Sequence, residues 1–251
     1  MIQFPIPLLS LEQMHEVEHL LVEMYGITLL QTMENAGRNL ALLAKQLLED
    51  DLDDRPLVIL AGRGNNGGGG LVAARHLFNW GAWVQIVLAH PVEEYNAAPA
   101  HQLQTLQAMD VPLAWAEEGW ELPPADLVID AMIGGGLRGH PTGKARDLIQ
   151  LANSTVAPIL SLNVPSGLDL ATGALCTPHI RATATMTLGL PPTGLVTAPA
   201  QSAIGDLYLA DIGVPRELYE TFELEVPPFF GLDTVMPVQI RDGTVWVVSQ
   251  G

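Results

Sequence analysis

Gly62-Arg63-Gly64-Asn65-Asn66-Gly67-Gly68-Gly69-Gly70 is a glycine-rich run between two apolar segments, residues 56–61 and residues 71–77. An apolar strand, a glycine-rich turn and a helix make half of a βαβ unit, and such turns and helix N-termini hold phosphates. Six of these nine residues are glycine, and every glycine costs backbone entropy on folding. The run therefore indicates a point where a ligand or another backbone comes close, or where φ is positive.

Three interpretations of this run compete. The spacing Gly62-x-Gly64-x-x-Gly67 fits the dinucleotide-binding fingerprint, which also needs an acid near the end of the next strand, about 20 residues on. The next predicted strand is 83–89 and the first acid after it is Glu93, which disfavours an ordinary NAD dehydrogenase. A P-loop is excluded, because it needs Gly-Lys-Ser/Thr where this chain continues with Leu71. A turn that merely packs a strand on a helix stays open as the alternative.

The rest of the chain alternates between apolar strands and helices. Ser10-Leu11-Glu12-Gln13 has capping-box spacing and predicts a helix from there to about Tyr25. Further helices are predicted at about 32–48, 70–79, 97–109 and 143–153, and strands at 56–61, 83–89, 127–132, 157–162, 183–188 and 206–210. This alternation predicts an α/β fold of three layers, α/β/α and Rossmann-like: a mostly parallel sheet with helices on both faces, after an N-terminal helical segment. In that architecture, ligands bind beyond the carboxyl ends of the strands.

The amino-acid composition argues against nucleic acids and membranes as binding partners. The chain has 251 residues, 11 Lys and Arg, 28 Asp and Glu, and a formal net charge of −17. A nucleic-acid surface or an anionic membrane surface needs a basic patch, for which this sequence has little material. The single cysteine, Cys176, cannot form an internal disulfide, and no apolar run has the length of a membrane span. We therefore expect a cytoplasmic protein that binds neither nucleic acid nor membrane.

Three motifs together carry a resemblance to a known family. The glycine run with Asn65-Asn66 leads into Leu71-Val72-Ala73-Ala74-Arg75-His76-Leu77, and the other two motifs are residues 128–139 and residues 162–169. Residues 33–37 and 205–215 support the match, which extends in the same order over about residues 10–216. In these segments the chain resembles the N-terminal domain of the YjeF proteins, the NAD(P)HX epimerase family.

The resemblance implies an activity and a ligand. Members of that family interconvert the R and S epimers of NADHX and NADPHX, hydrated cofactors whose hydroxyl-bearing carbon lies next to the nicotinamide ring nitrogen. The resemblance places substrate contacts at Asn65, Asn66, Gly67, Gly68, Gly69, Gly134, Gly135, Gly136, Leu137, Arg138, Gly139, His140 and Asn163. It also implies one potassium ion per subunit, held by oxygen atoms of Asn66, Asp130 and Ser166, and a homodimer as the assembly.

The chain departs from the family pattern at its acidic positions. Asn163 stands where the family has the aspartate that transfers protons, and an amide cannot do that work. Gly69 replaces a second family carboxylate. One hypothesis is an epimerase in which Asp130, the bound cation, water or His140 compensates for Asn163, so that Asn163 and Asp130 mark the catalytic positions. The other is a non-catalytic nucleotide-binding module that acts as a sensor or scaffold.

The family match fades after Pro215, and the chain divides accordingly. We assign residues 1–221 to the YjeF N-terminal-like domain and residues 222–251 to a C-terminal extension. Glu225-Val226-Pro227-Pro228 reads as a linker, and residues 238–248 read as a hairpin around Asp242-Gly243. The extension is expected to pack on the same domain.

Overall fold

The structure is a computed structural model that describes residues 4–95, 97–116 and 119–248. Its strands form one mixed sheet. They are β1 (Pro5–Ile6), β2 (Pro56–Ala61), β3 (Trp83–Leu88), β4 (Leu113–Trp115), β5 (Leu127–Ala131), β6 (Ile159–Leu162), β7 (Ala184–Leu188), β8 (Asp206–Ala210), β9 (Val235–Arg241) and β10 (Thr244–Val247).

The helices flank this sheet. They are α1 (Leu11–Glu23), α2 (Leu29–Leu47), α3 (Asn65–Asn79), α4 (Ala97–Ala108), α5 (Gly143–Ser154), α6 (Ala198–Ile204) and α7 (Arg216–Glu220), with 3-10 turns at Val92–Glu94, Thr193–Val196 and Phe229–Gly231. None of the helices in the described ranges is both long and apolar enough to cross a membrane. The sequence missed the short elements β1, β4 and α6.

The strand order places a topological switch point in the middle of the sheet. The order is β1-β10-β9-β8-β7-β6-β5-β2-β3-β4. The seven strands from β2 to β8 are all parallel to one another. From β2 the chain winds outward through β3 to β4, returns to β5 on the other side of β2, and winds the opposite way. The crevice beyond the carboxyl ends of β2 and β5 is where such sheets bind ligands.

Alternation along the buried strands explains the layers. In β2, Leu57 and Ile59 pack with apolar residues of α2, α3 and α4 on one face of the sheet. Val58 and Leu60 pack on the opposite face with residues of α5. Because consecutive strand residues point to opposite faces, an uninterrupted apolar strand supports helices on both sides. The predicted α/β class is confirmed.

The first helix begins as its sequence predicts. The Ser10 hydroxyl accepts a hydrogen bond from the Gln13 backbone N–H at 3.1 Å, and the Gln13 side chain accepts one from the Ser10 N–H at 2.9 Å. This capping box satisfies two backbone donors that the helix itself cannot pair. The helix α1 ends at Glu23 rather than at Tyr25, and its buried residues Val17 and Leu21 attach it to the core.

The glycine run is not a turn before a helix, as the sequence suggested, but the beginning of the helix itself. The helix α3 begins at Asn65 rather than at residue 70, and its glycines 67–70 are buried. Glycine costs about 1 kcal/mol relative to alanine inside a helix. Tertiary packing overrides that cost here, because a Cβ atom on Gly70 would lie 2.5 Å from the Cβ of Ala131.

The C-terminal hairpin is part of the sheet. Strand β9 pairs antiparallel with β8, and β10 pairs with β9 on one side and with β1 on the other. The turn residues Asp242 and Gly243 have φ values of 50° and 74°, as a type I′ hairpin turn requires. The hairpin therefore covers the edge that β8 would otherwise expose. The boundary between residues 221 and 222 stays a prediction.

Candidate active site

A cavity of about 510 Å³ lies beyond the carboxyl ends of β2, β5 and β6. The three motifs meet there although they are far apart in the sequence, as the sheet topology predicts. Seven of the residues expected at the site line this cavity: Asn65, Asn66, Gly69, Gly134, Gly135, Gly136 and Asn163.

Close backbone packing forms the floor of the cavity. A Cβ atom on Gly67 would lie 1.7 Å from the carbonyl oxygen of Gly62, and a Cβ on Gly62 would lie 1.9 Å from that of Met132. The glycines therefore bring the start of α3 against the ends of β2 and β5. The Tyr95 hydroxyl donates a 2.7 Å hydrogen bond to the carbonyl of Ala61 and holds the end of β2 in place.

The N-terminus of α3 faces the cavity. Gly64 is its N-cap and offers no side chain to the first backbone N–H groups of the helix, while Asn65 and Asn66 line the cavity beside it. Unpaired N–H groups and the helix dipole attract anions at such an end. Asn66 also has a buried amide nitrogen without a hydrogen-bond partner in the described part of the chain.

Asp130, at the end of β5, is fully buried and bonded through both oxygens. Its Oδ1 accepts from the Ser166 hydroxyl at 2.6 Å and from the Met132 N–H at 3.2 Å. Its Oδ2 accepts from the Ser161 hydroxyl at 2.9 Å and from the Ser166 N–H at 2.8 Å. Burial raises the pKa of Asp130, and these hydrogen bonds act against that effect. Ser166 in turn accepts from the Ile133 N–H at 2.9 Å, so the network joins the loops after β5 and β6.

Asn163, directly after β6, has a left-handed backbone with φ of 66°. Asparagine and aspartate adopt this region more readily than other residues with a side chain. The Asn163 side chain lines the cavity, and its oxygen accepts a long 3.4 Å hydrogen bond from the Thr187 hydroxyl. The backbone at this position therefore suits an aspartate equally well.

Other expected residues lie away from the cavity lining. These are Gly67, Gly68, Asp130, Leu137, Arg138, Gly139, His140 and Ser166. His140 is exposed, and its Nδ1 accepts a 2.9 Å hydrogen bond from the Thr177 N–H. His76 is buried, with its Nε2 2.8 Å from a carboxylate oxygen of Glu34. For the eight expected residues outside the lining, the roles in binding, catalysis or metal coordination stay predictions.

Sequence reasoning missed one whole wall of the cavity. The helix α1 and the turn after it contribute Leu11, Met14, His15, Glu18, Leu21, Val22 and Ile27. The available signal was the pair His15 and Glu18, polar residues three positions apart on a helix that also carries a buried apolar stripe. Arg63, in the glycine run itself, also lines the cavity and forms a 2.5 Å ion pair with Glu94.

The metal-binding potential of this region rests on oxygen atoms. Asn66, Asp130 and Ser166 offer amide, carboxylate and hydroxyl oxygens, the ligands of hard cations. Within residues 4–95, 97–116 and 119–248, no group of three His, Cys, Asp or Glu side chains is placed to hold a metal ion. A site here would therefore depend on neutral oxygens around one carboxylate.

Comparison with known proteins identifies the family. The model of the YjeF-related protein N-terminus matches residues 29–194. The chain is 39% identical over 210 residues to a protein of Dehalogenimonas lykanthroporepellens named NAD(P)H-hydrate epimerase, covering 82% of each chain. It is 35% identical to a protein of Truepera radiovictrix with the same name, covering 86% of this chain and 94% of that one.

A solved structure agrees on the fold. The crystal structure of yeast YNL200c superposes with a TM-score of 0.77 at 24% identity, covering 92% of this chain and 100% of that one. The family match includes the glycine run, Asp130 and Asn163. The chain therefore belongs to the family of the YjeF-related protein N-terminus.

Proposed function

We propose that this protein is an NAD(P)H-hydrate epimerase, which interconverts the R and S forms of NADHX and NADPHX in the repair of nicotinamide cofactors. The observation that carries the proposal is the convergence of the three family motifs on one cavity at the switch point of the sheet. Two relatives that match along most of this chain are named as epimerases of that kind.

One part of the cavity suits the phosphates of such a ligand, and another part suits its nicotinamide ring. The open N-terminus of α3, with Asn65 beside it, attracts the phosphates of a dinucleotide. The apolar side chains of α1, such as Leu11 and Met14, offer an apolar surface for the nicotinamide ring. Holding the ring while a proton moves at its hydroxyl oxygen is the positioning that this reaction needs.

The residues also fit the potassium ion that the family resemblance implies. The fully buried Asp130 carboxylate has no described Lys, Arg or His as an ion-pair partner. The amide of Asn66 has an unpaired buried atom, and amide nitrogen and oxygen positions are interchangeable assignments. We therefore propose that Asn66, Asp130 and Ser166 hold one potassium ion per subunit, whose charge would offset that of Asp130.

Potassium should stabilise the protein against unfolding. In 100 mM KCl, compared with equal choline chloride, the thermal midpoint is expected to rise, because a ligand of the native state stabilises it by about 2.7 kcal/mol at 100 times its Kd. The variant Asn66→Ala should lose most of this rise. The exposed Asn79, at the end of the same helix, provides the matched control, and Asn79→Ala should keep it. Equal midpoints in the two salts would argue against the site.

The activity test follows the conversion of R-NADHX into the S epimer by chromatography, with purified protein against buffer. Restoring the acid through Asn163→Asp should raise the rate by up to about 10²-fold, the lower range for a general acid-base group. The left-handed backbone at residue 163 accepts aspartate. Asn79→Asp, with the same charge change far from the cavity lining, should leave the rate unchanged. An equal rate in Asn163→Asp would show that this position no longer limits proton transfer.

The alternative is a non-catalytic nucleotide-binding module, a degenerate epimerase that serves as sensor or scaffold. Asn163 and Gly69, which leave the cavity without two carboxylates, favour it. Activity in Asn163→Asp but not in the wild type would support this alternative. A Cβ on Gly69 would meet only the end of the Leu162 side chain, at 2.7 Å, so Gly69→Asp is a second variant to restore a carboxylate.

We further propose that the protein works in the cytoplasm as a homodimer, as the family resemblance implies. The single cysteine, Cys176, is a free thiol in the structure, which suits a reducing compartment. Light scattering on the purified protein measures the assembly, and a mass of one chain would contradict the dimer.

A further inference from the structure

Few groups in the cavity can exchange a proton. Among the described residues that line it, the titratable side chains are those of His15, Glu18 and Arg63. Arginine stays protonated in proteins, and Asn163 has no proton to exchange at neutral pH. Asp130 is outside the lining, with both carboxylate oxygens already accepting hydrogen bonds. Only His15 and Glu18 remain.

These two side chains belong to one face of a well-anchored helix. His15 and Glu18 are three residues apart on α1, a spacing that makes side chains neighbours on a helix surface. Buried Val17 and Leu21 attach α1 to the core beside them. Glu18 therefore lines the cavity from a helix that the core holds in place.

The surroundings of Glu18 suit acid-base work. The Glu18 side chain is exposed, but the protein around it removes part of the water from its carboxyl group and so raises its pKa, while the nearby His15 lowers the pKa to a smaller extent. The helix α2 lines the cavity only with the uncharged Leu29, Thr32, Met33 and Ala36. The helix α7, which also packs on α1, carries Arg216, Glu217 and Glu220, which are not among the lining residues. A raised pKa brings a carboxyl group closer to the pH at which a general acid or base is most effective.

We propose that Glu18, with His15 beside it, is the acid-base group that replaces the missing aspartate at position 163. The inference rests on the proposed epimerase function. The Glu18 carboxyl gives its proton to the hydroxyl of the hydrated nicotinamide ring. The carbon–oxygen bond breaks, water leaves, and the lone pair of the ring nitrogen forms a C=N bond. Water then adds to the other face of the same carbon, the C=N electrons return to nitrogen, and Glu18 takes up the proton.

The test compares Glu18→Gln with Glu16→Gln, a glutamate of the same helix outside the cavity lining. With NADHX as substrate, Glu18→Gln should lower kcat by about 10²- to 10⁴-fold, the usual contribution of a general acid-base group. KM should change little, because glutamine keeps the size and polarity of the side chain. Glu16→Gln should match the wild type in both constants.

The pH profile separates acid-base work from a structural role. The wild-type rate should depend on one ionisation above the usual range of a glutamate, and this dependence should disappear in Glu18→Gln but remain in Glu16→Gln. Wild-type activity with an unchanged kcat and pH profile in Glu18→Gln would overturn this inference alone. A wild-type rate equal to that of buffer would overturn the proposed function, and the inference with it.

Discussion

Gly67→Ala is expected to leave little or no folded protein. A Cβ atom at this position would lie 1.7 Å from the carbonyl oxygen of Gly62 and 2.6 Å from its carbonyl carbon. Gly62 cannot move away, since its own approach to the Met132 backbone leaves no space for even one more atom. Overpacking of a core usually costs about 1–3 kcal/mol. Because the Cβ would clash with backbone atoms that cannot move, we expect the free energy of unfolding to fall by more than about 4 kcal/mol, which is exceptional for a single substitution.

Soluble yield and the free energy of unfolding in urea measure this effect. The matched control is Gly136→Ala, because Gly136 lies at the rim of the same cavity and a Cβ there would meet nothing within 4 Å. Its unfolding free energy should stay within about 0.5 kcal/mol of the wild type. If Gly67→Ala unfolded at the wild-type urea concentration, the close approach of α3 to the end of β2 would be wrong.

Asp130→Ala should lower the free energy of unfolding by about 3 kcal/mol or more, because four buried donors lose their acceptor and an unsatisfied buried donor costs about 1–3 kcal/mol. The donors are the hydroxyls of Ser161 and Ser166 and the backbone N–H groups of Met132 and Ser166. Removing a buried charge offsets part of that loss. The loops after β5 and β6 should also loosen, since the carboxylate joins them.

A graded series of variants tests this interpretation. Asp130→Asn keeps one accepting oxygen and the shape of the side chain, so its loss of stability should be intermediate. Asp206→Ala removes an exposed carboxylate from strand β8 and should have little effect. Urea unfolding in buffer free of potassium keeps cation binding out of the comparison. Wild-type stability in Asp130→Asn would mean that the network does not depend on the carboxylate.

The position of the site could be predicted from the sequence, because it follows from strand ends. Polar and glycine-rich motifs after the apolar segments that became β2, β5 and β6 had to meet at one edge of a parallel sheet. Asn66, Gly134 and Asn163 do meet there. The helical state of the glycine run could not be predicted, because glycine disfavours helix locally. The close packing that requires glycine there involves residues distant in the sequence, such as Ala131 against Gly70 and Leu162 against Gly69.

That α1 forms a wall of the cavity could not be predicted from the sequence, for a different reason. The capping-box spacing predicts that α1 exists and where it begins, and this prediction is confirmed. Which cavity its remaining face lines depends on how the helix packs against other elements. Glu18 and His15 are exposed polar residues of α1, and only the packing of the helix shows that they line the cavity. The short strand β4 (Leu113–Trp115) and the short helix α6 lack the length that a periodic pattern needs.

The pairing of β1 with β10 has a consequence for biosynthesis. Within the described residues, the only sheet neighbour of β1 is β10, with Pro5 opposite Trp246. Strand β1 is therefore synthesised long before its partner β10, and contacts between residues so far apart in the sequence are slow to form. All lining residues of the cavity lie between Leu11 and Ile212. On the ribosome, the residues of the binding crevice would thus be complete before the sheet receives its last edge.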